Sequence, residues 1–341
     1  PDIIHSHHPF LLGDTALRTA RSLALPLVFT HHTLYEQYTH YVPLDSPALK
    51  TFVIELATEY ANLCNQVIAP STSIKKLLIK RGVKSDISVL PTGIDLRFFE
   101  QGERRRFCRK QGIPQDCFII GHVGRLATEK NLPYLARSVA SALKHEKNSC
   151  FLVAGTGDAK EKIENVFRQA GCSDRLIMTG SLSGIELADC YAAMDIFVFA
   201  SHSETQGLVL AEAMAASTPV IALSASGVDD VLEDQRNGIM LPADAPESAF
   251  TQALSTIIRD PAECRKWSKE ARSTAGTFSR QSSAEKLIAL YETTISGKYV
   301  PHETELDMLD TALLAIKTEW ELLQEKIGAA MDTLREGSRE K

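Results

Sequence analysis

Two glutamates, Glu204 and Glu212, frame the segment of this chain best suited to chemistry. Before them runs Asp195-Ile-Phe-Val-Phe-Ala200, an apolar stretch that predicts a buried parallel strand. Beyond Gly207, Leu208 to Ala216 predicts a helix, ended by Thr218-Pro219. Glu204 thus falls in the turn between a strand and a helix N-terminus, with Glu212 about one turn into the helix. Gly207 permits close backbone approach, and the amides around Gln206 to Leu208 open a helix without intrahelical partners. Such amides suit a phosphate, while carboxylates suit hydroxyls. A ligand that carries both is a nucleotide sugar.

The partner segment is Gly121-His-Val-Gly-Arg125-Leu-Ala-Thr-Glu-Lys130. A strand ending at Val123 sends Gly124, Arg125 and Lys130 out from its carboxyl end, where doubly wound sheets bind ligands. Arginine as a fork and lysine as a point charge offset a diphosphate. In isolation the same pair reads as ordinary surface; the Glu204–Glu212 segment tips the balance. Gly155-Thr-Gly157 follows another strand, but Lys160 breaks the longer dinucleotide fingerprint, so a tight turn lining the same crevice is expected. No G-x-x-x-x-G-K-[ST] occurs, which argues against an NTPase.

Histidines crowd the start: His5, His7, His8, His31, His32 and His40. No Cys/His spacing of a structural metal site accompanies them, and no metal or cofactor is expected. Thr30-His-His-Thr33 follows a strand at its carboxyl edge; His31 reads as structural or surface, and His32 as a residue of the reacting centre. Tyr35, Tyr38 and Tyr41 come next in an apolar loop. Lining an acceptor pocket, meeting a bilayer and packing on their own domain all fit these tyrosines.

The elements that must position these residues form two series of strand-then-helix units. Strands are expected at 2–5, 27–30, 66–69 and 87–90, then at 117–123, 150–154, 176–179, 196–199, 220–223 and 238–241. Continuous apolar strands between amphipathic helices predict an α/β protein with parallel sheets covered on both faces. The polar stretch from Arg104 to Pro114 marks the boundary, giving domains 1–108 and 109–295 and a helical tail 296–341. The chain opens inside a buried strand, so the first domain is expected to be incomplete. In the tail, Leu306, Leu309, Leu313, Ile316, Trp320, Leu323 and Ile327 recur at spacings of three and four. A long helix packed on a domain face fits this pattern, and so does self-association through 303–336.

Composition is that of a globular protein, 44% hydrophobic and 23% charged, with no apolar run of membrane-spanning length. Seven scattered cysteines without C-x-x-C imply reduced thiols and a cytoplasmic location. The net charge of −6 divides unevenly: residues 1–110 hold 14 Lys and Arg against 10 Asp and Glu. Basic clusters at Lys75–Lys84 and Arg104–Lys110 read as solvated surface or as contacts to an anionic membrane. Nucleic acid is not expected, because aromatics are not interleaved with the basic residues.

Over residues 1–295 the sequence resembles the family 4 glycosyltransferases, retaining enzymes of the GT-B architecture with two Rossmann-like domains facing a cleft. The resemblance lies in Gly124-Arg-Leu-Ala-Thr-Glu-Lys130, in the E-x7-E of Glu204 and Glu212, and in Pro91-Thr-Gly-Ile-Asp95. It implies that Glu204 touches the donor sugar, Glu212 holds the ribose, and Arg125 and Lys130 grip the diphosphate with help from the amides of Gln206, Gly207 and Leu208. It implies that His32 contacts the sugar near the reacting carbon. Front-face displacement without a metal or a carboxylate nucleophile is implied as well. His32-Thr-Leu-Tyr-Glu-Gln-Tyr and Ser203-Glu-Thr-Gln-Gly207 resemble bacterial diacylglycerol glucosyltransferases. The expected reaction is therefore transfer of a hexose, from UDP-glucose, to a lipid hydroxyl at the inner membrane face. Rivals are a mannosyl or other transferase with a soluble acceptor, and a nucleotide-sugar-binding fragment acting in assembly.

Overall fold

A computed structural model of the chain describes residues 1–39, 46–201 and 204–297, together with Thr318 and Glu321. Among the described residues ten strands form: β1 (Ile4–Ser6), β2 (Leu27–Thr30), β3 (Gln66–Ala69), β4 (Ile87–Val89), β5 (Phe118–Val123), β6 (Ser149–Ala154), β7 (Leu176–Gly180), β8 (Ile196–Phe199), β9 (Val220–Leu223) and β10 (Gly238–Leu241). Each coincides with an expected strand, with ends displaced by a residue or two. All the pairings between them are parallel.

The chain divides into two compact units, residues 92–283 and residues 1–91 joined by 284–341. The division falls earlier than the expected boundary after residue 108, for a packing reason. Phe99, Phe107 and Cys108, from the helices Leu96–Glu100 and Arg104–Gln111, belong to the core of the second unit. Ile94 pairs with Ser279, donates its amide to Phe278 O and accepts from Arg280, so the two ends of that unit are laced together. The helix Arg280–Ser296 then carries the chain into the first unit, where Tyr291 meets His5. The expected tail domain begins inside that unit. Of it, Ser296 and Gly297 are described, as are Thr318 and Glu321, both helical, with Glu321 paired to Arg21 at 3.4 Å. The heptad positions and the self-association expected of 303–336 lie otherwise outside the described residues.

The first unit holds a four-stranded sheet in the order β1-β2-β3-β4. Its core gathers Leu17, Leu27, Phe29, Tyr60, Val67 and Ile74. Ser46 and Ser71 start its helices Pro47–Asn62 and Thr72–Lys80, each side chain accepting the amide three residues on. In the second unit the six-stranded order is β10-β9-β8-β5-β6-β7. Alternation sends Ile119, Leu152, Phe197 and Phe199 to one apolar layer and Ile120, Phe151, Val153 and Val198 to the other. Both faces are therefore covered, as continuous apolar strands require.

Two of the cations in the basic clusters, Arg81 and Arg104, are drawn inward, and others are taken up by ion pairs. Arg81 is paired with Glu36 at 2.6 Å and is largely buried. Arg104 donates to Ala193 O, Cys117 O and Asp195, while Arg106 pairs with Asp189 and Lys110 with Glu186. These cations close the second unit's own surface. Lys76, Lys80 and Lys84 remain exposed, with Ile79 beside them.

Candidate functional site

The second unit's strand order reverses between β5 and β8, which lie side by side through Ile120 and Ile196. A reversal parts the loops at the carboxyl ends of the two strands and leaves a crevice for ligand. Arg125 and Lys130 follow β5, and Glu204 follows β8. Lys130 Nζ stands 3.4 Å from Glu204 Oε2, with both side chains less than a fifth exposed. The same ammonium lies 5.7 Å from the Phe199 ring centre. Ser201 donates to Glu129 O at 3.3 Å, a second tie between the two loops. Arg125, half exposed, pairs with Glu129 at 2.7 Å.

Around Glu204 the structure departs from expectation. Its Oε1 accepts from the amides of Thr205, Gln206 and Gly207 at 3.2, 3.4 and 3.2 Å. Two of the amides expected to serve a phosphate, those of Gln206 and Gly207, thus already face a carboxylate, because the turn curls back over its own first residue. Gly207 caps the helix Leu208–Ala215 at φ 69°, and a Cβ there would sit 2.7 Å from Gly227 O. Gln206 is buried and donates its side-chain amide to Thr92 O. Leu208 is the first helical residue.

Glu212 has a partner that sequence reasoning missed. Tyr191, wholly buried, donates its hydroxyl to Glu212 Oε2 at 2.7 Å. Burial raises the carboxyl above its usual range, and the Tyr191 hydrogen bond partly offsets this. Burial and the neighbouring carboxylate push the Tyr191 phenol well up. His122, inside β5, was also missed: it is fully buried, its Nδ1 is 3.1 Å from Val198 O, and burial lowers it to about 4. No spacing pattern marks either residue, since both follow from contacts distant in sequence.

Gly124 and Arg125 line a cavity of about 270 Å³ with Val123, Ala154, Gly155, Thr156, Ser181, Leu182 and Leu187, at the carboxyl ends of β5, β6 and β7. The expected turn at Gly155 is there, and its glycine is obligatory: φ is +149° and a Cβ would meet Gly124 O at 1.8 Å. Thr156 and Ser181 share a hydrogen bond of 3.2 Å at the rim.

In the first unit His32 follows β2, half-buried, its Nε2 2.9 Å from Nδ1 of His7. Of the structural and surface alternatives for His31, the structural one is found: it is buried, edge-on to Phe29 and Tyr35. Burial, with Arg81 assisting, lowers His31 to about 4. Tyr35 opens a 3-10 turn, Tyr35–Gln37, rather than a loop, and packs on His8 and Phe10. The Tyr35 hydroxyl and His31 Nδ1 are buried without a hydrogen-bond partner. Tyr38 is partly buried at the end of that turn, while His40 and Tyr41 lie outside the described residues. Among the described residues, no group of three or more His, Cys, Asp or Glu is disposed to hold a metal ion. No described helix is long and apolar enough to cross a membrane.

Comparison with known proteins adds to this geometry. The family described as Glycosyl transferases group 1 matches residues 103–274, and Glycosyltransferase Family 4 matches residues 1–98. An alpha-monoglucosyldiacylglycerol synthase of Streptococcus pneumoniae is 34% identical over 70% of this chain. The chain spans 55% of that relative's length. A synthase of the same name from Acholeplasma laidlawii is 28% identical, over 85% of this chain and 75% of its own. Among solved structures, Anabaena Alr3699/HepE in complex with UDP and glucose superposes with a TM-score of 0.70 at 19% identity, covering 86% of this chain and 78% of that one. At that identity the likeness shows the fold, the GT-B α/β fold of two parallel-sheet Rossmann-like domains.

Proposed function

The chain belongs to the group 1 glycosyl transferases, and on that premise we propose that it moves a hexose from a nucleotide diphosphate sugar, UDP-glucose, to a hydroxyl of diacylglycerol or a similar lipid with retention at the anomeric carbon. The observation that carries the reading is the switch-point cluster. Lys130 meets Glu204 where β5 and β8 part, Arg125 follows β5 and lines the cavity beside Gly155, and Tyr191 holds Glu212.

Each residue has a role in this reading. Arg125 and Lys130 offset the charge that develops on the departing diphosphate. Glu204 hydrogen-bonds the sugar hydroxyls, and Glu212, fixed by Tyr191, takes the ribose hydroxyls. The cavity beside Gly155 receives the planar base. His32 contacts the sugar near the reacting carbon, and Tyr35, Tyr38 and Tyr41 line the acceptor side. The acceptor oxygen bonds to the anomeric carbon on the face the diphosphate leaves, the carbon–phosphate-oxygen bond breaks, and the acceptor proton passes to the leaving phosphate. Positioning and charge stabilisation supply the acceleration, with no metal called on.

The lipid acceptor is supported by the diacylglycerol relatives and by the exposed Lys76, Lys80, Lys84 and Ile79. Such a helix rests on an anionic surface from the cytoplasmic side without crossing it. Calorimetric titration with UDP and with GDP, followed by transfer from UDP-glucose to diacylglycerol in anionic vesicles, tests the whole. UDP binding with transfer is expected. GDP binding alone would turn the reading towards a mannosyl donor, and binding of neither nucleotide would sink the donor site.

A further inference from the structure

Side chains alternate along a strand, so His5 and His7 share one face where β1 ends. The parallel register sets His5 beside Val28, which puts Thr30 and His32 on the matching face of β2. Ser6, Phe29 and His31 take the opposite face: Ser6 accepts from Tyr60, and His31 packs on Phe29. Period two thus sorts the histidines into a buried one and an array of three.

Contacts hold the array in place. His5 Nδ1 lies 2.6 Å from the Tyr291 hydroxyl and His5 Nε2 lies 2.6 Å from Thr30 Oγ1. The His5 and His7 ring centres are 4.1 Å apart. His7 and His32 stack at 5.1 Å and 18°, sharing the hydrogen bond between Nδ1 of His7 and Nε2 of His32. Burial first, then repulsion from His7 and His32, lowers His5 to about 4. Burial also lowers His7, and burial with His7 lowers His32. Among the described residues, the titratable groups set against the array are its own members, with His31 adjoining and Tyr291 from the returning helix. Two neutral imidazoles sharing one hydrogen bond fix each other's tautomer. Whichever ring donates, Nε2 of His32 is spent on His7 and Nδ1 is left for a ligand.

We propose that His7 is a positioning residue for the transfer reaction, orienting His32 through their shared hydrogen bond so that Nδ1 of His32 meets a hydroxyl of the donor sugar. This rests on the reading of His32 at the reacting centre. His7 needs no contact with substrate, and its effect passes entirely through His32.

A double-mutant cycle in the full chain, with UDP-glucose as donor, tests this. His7→Leu lowers kcat about 100-fold, as a misplaced catalytic group does, with KM and UDP affinity unchanged. His7→Asn, which keeps a polar atom near the site of Nδ1, recovers most of the loss. In a His32→Ala background, His7→Leu has no further effect. Wild-type kcat in His7→Leu, or an equal further loss without His32, overturns the proposal. Wild-type kcat in His32→Ala brings down the reading of His32 and this role with it. A readout independent of turnover is the imidazole NMR titration of His32. It moves to higher pH in His7→Leu, because a repelling neighbour is gone, and an unmoved titration overturns the coupling.

Discussion

Both sheets are parallel and send their functional loops out from the carboxyl ends of strands, yet the two edges carry opposite chemistry. At β5 and β8 the side chains are charged and paired: Lys130 with Glu204, Arg125 with Glu129. At β1 and β2 they are imidazoles held neutral by burial and by one another. The strand order of the six-stranded sheet reverses at β5 and β8, while the strands of the other run in simple order. Topology thus supplies a place for a ligand, and the local dielectric and partners decide what that place can do. In the proposed reaction, charge would serve the departing diphosphate, and uncharged hydrogen bonding the sugar and acceptor hydroxyls.

The contrast can be broken most severely at Glu204. Glu204→Ala removes both the Lys130 partner and the acceptor of three amides, and turnover of UDP-glucose is expected to fall about 1000-fold. Arg125→Ala should cost about 100-fold in turnover and weaken UDP as well, as calorimetry would register. If both variants keep wild-type rates, the charged edge is not the reacting one. Glu212→Ala is a milder case: UDP affinity should drop about tenfold, with kcat nearly kept. Tyr191→Phe should reproduce part of that loss, since the buried carboxylate loses its donor.

Buried imidazoles in both units can be probed by pH. His5, His31 and His122 have folded values of about 4, against 6.5 for an unperturbed imidazole. The unfolded chain therefore binds more protons between those values. Stability is complete above about pH 6.5 and drains as pH falls towards 4, by at most about 1.4 kcal/mol per pH unit for each group. Thermal melts across that window should show the slope, and His122→Phe should flatten it. The smallest effect is expected from Lys76→Glu with Lys80→Glu: a several-fold loss of binding to anionic vesicles at low salt, vanishing at high salt. Equal binding by this variant would remove the basic helix from the membrane argument.

The strands were legible because each is an apolar run of strand length, and burial on both faces demands such runs. The outward-facing ends of β5 and β8 were legible from Arg125, Lys130 and Glu204. Strand order was not, since pairing β5 with β8 rather than β7 is decided by contacts across some seventy residues. For the same reason Tyr191 behind Glu212 left no trace in local spacing. Charge clusters misled where tertiary partners exist: Arg81 and Arg104 look like surface in sequence and are bound inward by Glu36 and Asp195. The Glu204 turn misled in the opposite sense, its amides looking free until the carboxylate folds back on them.

The lacing of Ile94 to Ser279 bears on the order of synthesis. The second unit is one uninterrupted stretch, 92–283, with its ends tied together, whereas the first needs pieces from both sides of it. During translation the later-made unit can close on itself while the earlier-made one waits for the helix that brings Tyr291 to His5. The imidazole edge is thus completed only once Tyr291 has been made, after the whole of the second unit and well after its own histidines.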